Sequence, residues 1–71
     1  MPLHNKVREC RFFADEMTQS QLAEAVGVTR QTIMAIEKGR YSPSLEVAFK
    51  IALVFAKQID EVFWYTPDSS L

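Results

Sequence analysis

The sequence predicts an all-α domain of five helices. Helix-start residues recur at Thr18, Thr29 and Ser44 ahead of apolar stretches, the apolar residues that follow repeat at spacings of three and four, and no segment sustains the alternation of a half-buried strand. Apolar residues make up 48% of the chain and only two residues are glycine, which suits a packed helical globule rather than a disordered tail. A length of 71 residues predicts one domain with a thin stability margin and no separate catalytic or sensor module.

The first helix is expected from Asn5 to Ala14, with Val7, Cys10 and either Phe13 or Ala14 on its inner face. Asp15 and Glu16 break that pattern. Thr18 followed three residues later by Gln21 has the form of a capping box, which starts the second helix at Gln19. That helix buries Leu22, Ala23 and Val26 and stops at Gly27, a residue suited to the left-handed conformation that ends helices. Thr29 caps a third helix from Arg30 to Lys38. In it Ile33, Ile36 and Glu37 turn inward, while Arg30, Gln31 and either Met34 or Ala35 turn outward, before Gly39 ends the helix.

Ser44 caps a fourth helix, whose Leu45, Ala48, Phe49, Ile51, Ala52 and Phe55 form a broad apolar stripe at the expected centre of the core. Ile59 to Phe63 forms a short final helix, and Trp64, Tyr65 and Thr66 favour extended backbone before Pro67. The domain is placed at residues 1–66, with 67–71 a frayed tail. There is no internal repeat or low-complexity segment.

Cys10 is the single cysteine, so an internal disulfide is ruled out and a reducing cytoplasm is expected; on the inner helix face it is a small core residue. No cationic stretch precedes an apolar run near Met1, and no apolar segment reaches membrane length, so neither export nor a membrane partner is expected. His4 has no second ligand nearby in sequence, and no nucleophile is paired with a base. No metal, cofactor or enzymatic activity is expected.

The second and third helices, joined by a turn at Gly27 to Thr29, form a helix-turn-helix pattern. Ala23 is small where the two helices cross, Gly27 reverses the chain without a side-chain clash, and Ile33 and Ile36 anchor the third helix. Its exposed start is left to enter a major groove. Arg30 has the fork for guanine, Gln31 the amide for adenine, and Met34 or Ala35 the apolar surface for a thymine methyl. The net charge of −1 argues against nucleic acid, which is bound largely through its phosphates. Its distribution argues the other way: Arg30, Lys38 and Arg40 form a local basic stretch, whereas Asp60, Glu61 and Asp68 gather toward the far end.

Thr18-Gln19-Ser20-Gln21-Leu22-Ala23, Gly27-Val28-Thr29-Arg30-Gln31-Thr32-Ile33 and Ile36-Glu37-Lys38-Gly39-Arg40-Tyr41-Ser42-Pro43-Ser44-Leu45 together resemble the Cro/repressor-type helix-turn-helix family, also called the xenobiotic-response-element family. The likeness runs from about Asn5 to Phe63 and is strongest to minimal bacterial and archaeal regulators built of this domain alone. It implies a compact five-helix, lambda-repressor-like DNA-binding fold. It also implies that Arg30 and Gln31 read bases, that Gln19, Thr29, Thr32, Lys38, Arg40 and Tyr41 approach phosphates, and that Arg11 pairs with Glu37. Two departures stand out. The segment Phe12 to Met17 is one residue longer than the usual turn, so Arg11 can meet Glu37 only if the turn absorbs the extra residue; and Ala56-Lys57-Gln58 lacks the usual glycine, which predicts a less tight bend.

Plainer accounts exist for several of these residues. Arg30 and Gln31 suit a solvated helix face, Lys38 and Arg40 suit a helix C-terminus, and Gln19 suits a helix start. Val62, Trp64 and Tyr65 either anchor a subunit interface or fold back on their own core, because a domain this small struggles to bury every aromatic. The expectation is therefore a homodimeric repressor of transcription on an inverted-repeat operator, controlled through its own concentration. The alternative is an antitoxin or co-regulator that acts through protein contacts on the same fold.

Overall fold

The computed structural model describes residues 3–67. Its elements are β1 (Leu3–Asn5), α1 (Val7–Phe13), α2 (Gln19–Val26), α3 (Arg30–Glu37), α4 (Leu45–Val54), α5 (Ile59–Val62) and β2 (Phe63–Tyr65). The five expected helices are present, and the expected extended segment after α5 is a strand. The tail expected beyond Pro67 lies outside the described residues.

Local side-chain chemistry sets the helix starts. The Thr18 hydroxyl accepts the Gln21 N–H at 3.0 Å while the Gln21 side chain accepts the Thr18 N–H at 2.9 Å, completing the capping box. Thr29 accepts from the Thr32 N–H and Ser44 from the Val47 N–H, each at 3.2 Å. Gly27, at φ 79°, closes α2, and both its N–H and that of Val28 bond to the Ala23 carbonyl. A Cβ at Gly27 would meet nothing within 4 Å, so glycine suits this turn because of its backbone conformation and not, as the sequence suggested, because a side chain would clash.

The expected start of α1 is corrected. Asn5 is not helical but pairs with Phe63 in a two-stranded antiparallel ribbon, with His4 opposite Trp64 and Leu3 opposite Tyr65. The Lys6 N–H continues the link, donating to the Val62 carbonyl at 2.8 Å. The Asn5 side chain accepts the Val7 N–H at 3.1 Å, which delays the helix until Val7. At the other end Phe63 leaves α5 for β2, with φ −125° and ψ 141°.

Each helix contributes to one core: Val7, Leu22, Ile33 with Ile36, Ile51 and Val62 are its fully buried large side chains. Cys10 is buried with them. Helix α4 departs from the sequence reading. Its buried face is Ala48, Ile51 and Ala52, with Phe55 half-buried, whereas Leu45 and Phe49 are exposed. The helix is apolar nearly all round, so periodicity alone selects no face, and its two alanines are the residues that let it pack closely on α2. Phe13 is exposed too, and Ala14 is the partly buried one of that pair.

The bend after α4 is as tight as a glycine would make it, contrary to expectation. Ala56 takes φ 54°, its N–H bonds to the Leu53 carbonyl, and the Lys57 N–H reaches the Ala52 carbonyl at 3.0 Å. A side chain in the left-handed region is strained. Ala56→Gly is therefore expected to stabilise the domain by about 1 kcal/mol. For a chain of this size that raises Tm by roughly 4–8 °C, and a circular-dichroism melt that shows no rise would contradict the strain.

Candidate nucleic-acid interface

The end of α3 is fixed by a polar brace around Glu37. Arg11 Nε donates to Glu37 Oε2 at 2.6 Å and Arg11 Nη2 to Oε1 at 3.0 Å, forming a two-pronged ion pair, while Gln19 Nε2 donates to the same Oε1 at 3.1 Å. The Arg11 and Glu37 side chains are only 16% and 7% exposed. Hydrogen bonding to Glu37, outweighing burial, holds the Arg11 pKa above its ordinary value. Arg11 Nη1 also donates to the Met17 carbonyl at 2.9 Å, so one guanidinium joins α1, the turn after it and α3. The longer turn does not prevent this: Asp15 and Glu16 take consecutive left-handed conformations, at φ 60° and 56°, and absorb the extra residue.

A second brace reaches α3 from the N-terminal strand. Asn5 Nδ2 donates to the Ile36 carbonyl at 2.9 Å, satisfying a group that a helix end leaves open. Sequence reading missed this role because the contact spans 31 positions.

With α3 held at both Ile36 and Glu37, its outer face projects Arg30 and Gln31 to solvent, and Met34 and Ala35 are half-buried. Gln19, Arg30, Met34 and Lys38 line one shared concavity of about 560 Å³ between α1, the start of α2 and α3. Arg8 lines it as well and was not anticipated; its spacing of three from Arg11 was the available signal. Gln31, Ala35, Thr29, Thr32, Arg40 and Tyr41 lie outside this concavity. Gln31 occupies the outer side of the helix, Ala35 follows one turn on, and Arg40 and Tyr41 extend from the loop after α3. Thr29 and Thr32 share a hydroxyl hydrogen bond at 3.0 Å, so both serve the cap as well as facing outward.

Among the described residues the ion pairs are Arg11–Glu37 and Glu46–Lys50, so Arg8, Arg30, Lys38 and Arg40 keep their charge free of carboxylates. Of the acidic residues toward the far end of the sequence, Asp68 lies outside the described residues. Asp60 and Glu61 line a separate cleft of about 630 Å³ with Lys6, Glu9, Cys10 and Trp64, on the opposite side of α1 from Arg8 and Arg11. The concavity carries Arg8, Arg11, Arg30 and Lys38 against Glu16 and Glu37, whereas the cleft carries Glu9, Asp60 and Glu61 against Lys6 and Lys57, so the two sides of α1 differ in charge balance.

The residues expected at a subunit contact are divided by the structure. Val62 is fully buried in its own core and offers no surface, a correction that follows from its place on the inner side of α5. Trp64 is 40% exposed; the His4 ring stacks on it at 5.6 Å and the Lys6 ammonium lies 5.7 Å from its centroid. Tyr65 is exposed. His4 thus has an aromatic partner, and no cluster that could hold a metal ion occurs among the described residues. No helix there is long and apolar enough to cross a membrane.

A braced helix with Arg30 at its start and Lys38 at its end, preceded by a capped helix and a glycine turn, defines a helix-turn-helix DNA-binding domain. Comparison with known proteins agrees. The helix-turn-helix family model HTH_3 matches residues 8–62. The HTH-type transcriptional regulator MJ0272 of Methanocaldococcus jannaschii is 48% identical over 66 residues, covering 93% of this chain and 98% of the relative. YgzD of Bacillus subtilis, also described as an HTH-type transcriptional regulator, is 50% identical over 62 residues, covering 87% and 92%. The cryptic phage CTXphi transcriptional repressor RstR of Vibrio cholerae is 36% identical over 58 residues, covering 82% of this chain and 51% of the repressor. The chain belongs to the Cro/C1-type helix-turn-helix family of transcriptional regulators.

Two measurements check the site's supports. Glu37→Ala leaves the Arg11 charge buried without its partner and is expected to cost roughly 3 kcal/mol in urea unfolding; a loss below about 1 kcal/mol would mean the pair behaves as a surface one. Burial pushes the Cys10 thiol above its ordinary value of 9.0 against the pull of Lys57. The folded chain then holds that proton more tightly than the unfolded one, so stability is whole below the ordinary value and falls as pH rises past it. Alkylation of native Cys10 at pH 8 should be much slower than alkylation of the urea-unfolded chain, and equal rates would contradict its burial.

Proposed function

We propose that this regulator is a sequence-specific repressor that binds an inverted-repeat operator as a homodimer, with α3 of each copy in successive major grooves. The observation that carries the reading is the brace on Glu37, which fixes α3 while leaving Arg30 and Gln31 free to face outward. In the groove, Arg30 donates twice to guanine O6 and N7, and Gln31 pairs with the N6 and N7 of adenine. Met34 and Ala35 offer apolar contact to a thymine methyl. Around them Gln19, Thr29, Thr32, Lys38, Arg40 and Tyr41 hold phosphates, joined by Arg8 from the same concavity. Gln19 donates one amide hydrogen to Glu37, so its second remains for a phosphate oxygen.

The repressor reading draws on the likeness to RstR, a phage transcriptional repressor. A two-fold protein on DNA requires half-sites about one helical turn, roughly 34 Å, apart. Selection of bound sequences from a random duplex pool is expected to return an inverted repeat of that spacing. A pool that stays random would sink the reading. Arg30→Ala should cost roughly 1 to 3 kcal/mol per half-site on the selected sequence and little on random DNA. Lys38→Ala should weaken both alike and flatten the salt dependence by about one unit of slope per half-site. Equal losses on both DNAs for Arg30→Ala would remove it from base reading.

A further inference from the structure

The largest exposed apolar side chains of α4 form a single ridge. Leu45 is 70% exposed, Phe49 53% and Leu53 78%, at successive spacings of four that place them on one side of the helix. We propose that this ridge is the surface on which a second copy of the chain docks, with the two α4 helices antiparallel across a two-fold axis. The inference rests on the homodimer proposed above and locates its contact.

The side-chain pattern suits a two-fold arrangement. An isologous contact requires that residue i of one copy meet residue j of the other and the reverse. The ridge is symmetric about Phe49, so an antiparallel pair sets Phe49 against its own copy and Leu45 against Leu53 at both ends. Glu46 and Lys50, joined within the helix at 3.7 Å, flank one edge of the ridge. Two-fold symmetry brings that edge beside the same edge of the partner and sets each Glu46 near the other copy's Lys50. Charge is therefore complementary where the apolar stripe ends.

The ridge also outranks the other exposed apolar residues. Phe12 and Phe13 are consecutive, point about 100° apart on the helix and pack edge-to-face on each other, so they form no stripe. Trp64 already holds His4 and Lys6. Three side chains per copy make a contact well below the size of a standard interface. The free dimer is accordingly weak and is consolidated when both copies sit on one operator.

The test compares the parent chain with Leu53→Lys and Tyr65→Ser by sedimentation equilibrium, and adds Phe49→Cys in a Cys10→Ala background under mild oxidation. The parent is expected to dimerise, Leu53→Lys to raise the dissociation constant at least tenfold, Tyr65→Ser to leave it unchanged, and Phe49→Cys to form a covalent dimer. Leu53 is exposed, so the lysine variant should melt like the parent. If it does not, the Phe49→Cys cross-link decides. A dimeric parent whose Leu53→Lys variant associates equally well, or whose Phe49→Cys variant stays uncross-linked, overturns the ridge and leaves the two-fold repressor standing through another contact. A parent that stays monomeric and fills the two half-sites independently overturns both.

Discussion

The carboxylate of Glu37 is the point on which the geometry of the binding surface depends. It receives Arg11 from α1 and Gln19 from the start of α2, so the three helices around the concavity meet at one side chain. A buried ion pair contributes little net stability over a well-packed apolar substitute, because desolvation offsets most of the attraction. Its value here is directional. A planar guanidinium that donates to both carboxylate oxygens, and to the Met17 carbonyl with its remaining prong, fixes rotation as well as distance. Apolar residues in the same place would leave Ile33, Ile36 and the Asn5 bond to hold α3, without a directional hydrogen bond at its last turn.

Achieving that brace has a conformational cost. Asp15 and Glu16 both sit in the left-handed region, which side chains other than glycine occupy at about 1–2 kcal/mol per residue. The strain lies in the turn that returns the chain from α1 to Thr18, where the Met17 N–H bonds to the Arg11 carbonyl at 2.9 Å while the Arg11 side chain bonds to the Met17 carbonyl. The same two residues are thus tied in both directions.

What the sequence revealed follows from the range of each interaction. The caps at Thr18, Thr29 and Ser44 involve residues three apart, so their signals are local and legible. The β1–β2 ribbon joins residues about sixty positions apart through three pairs, too short to leave an alternating pattern, and Asn5 accordingly looked like the start of a helix. The outward residues of α3 were visible from the motif, whereas Arg8 and the Asn5 bond to Ile36 depend on tertiary placement. Helix α4 was misread for another reason. Its residues are apolar on most sides, and only its packing on α2 decides that Ala48 and Ala52 go inside while Leu45 and Phe49 stay out.

The net charge of −1 then ceases to be an argument against a duplex partner. Glu37 is engaged within the fold, and Asp60 and Glu61 lie across α1, so near α3 Arg8, Arg30, Lys38 and Arg40 outnumber Glu16, the other carboxylate that lines the concavity. A small set of cations also limits how strongly random sequence competes, because non-specific affinity grows with the number of phosphates neutralised. On the proposed reading, discrimination falls on the few residues at the start of α3, and the Glu37 brace serves to keep them in register with the bases. A looser helix on a more basic surface would bind DNA as well and choose among sequences less.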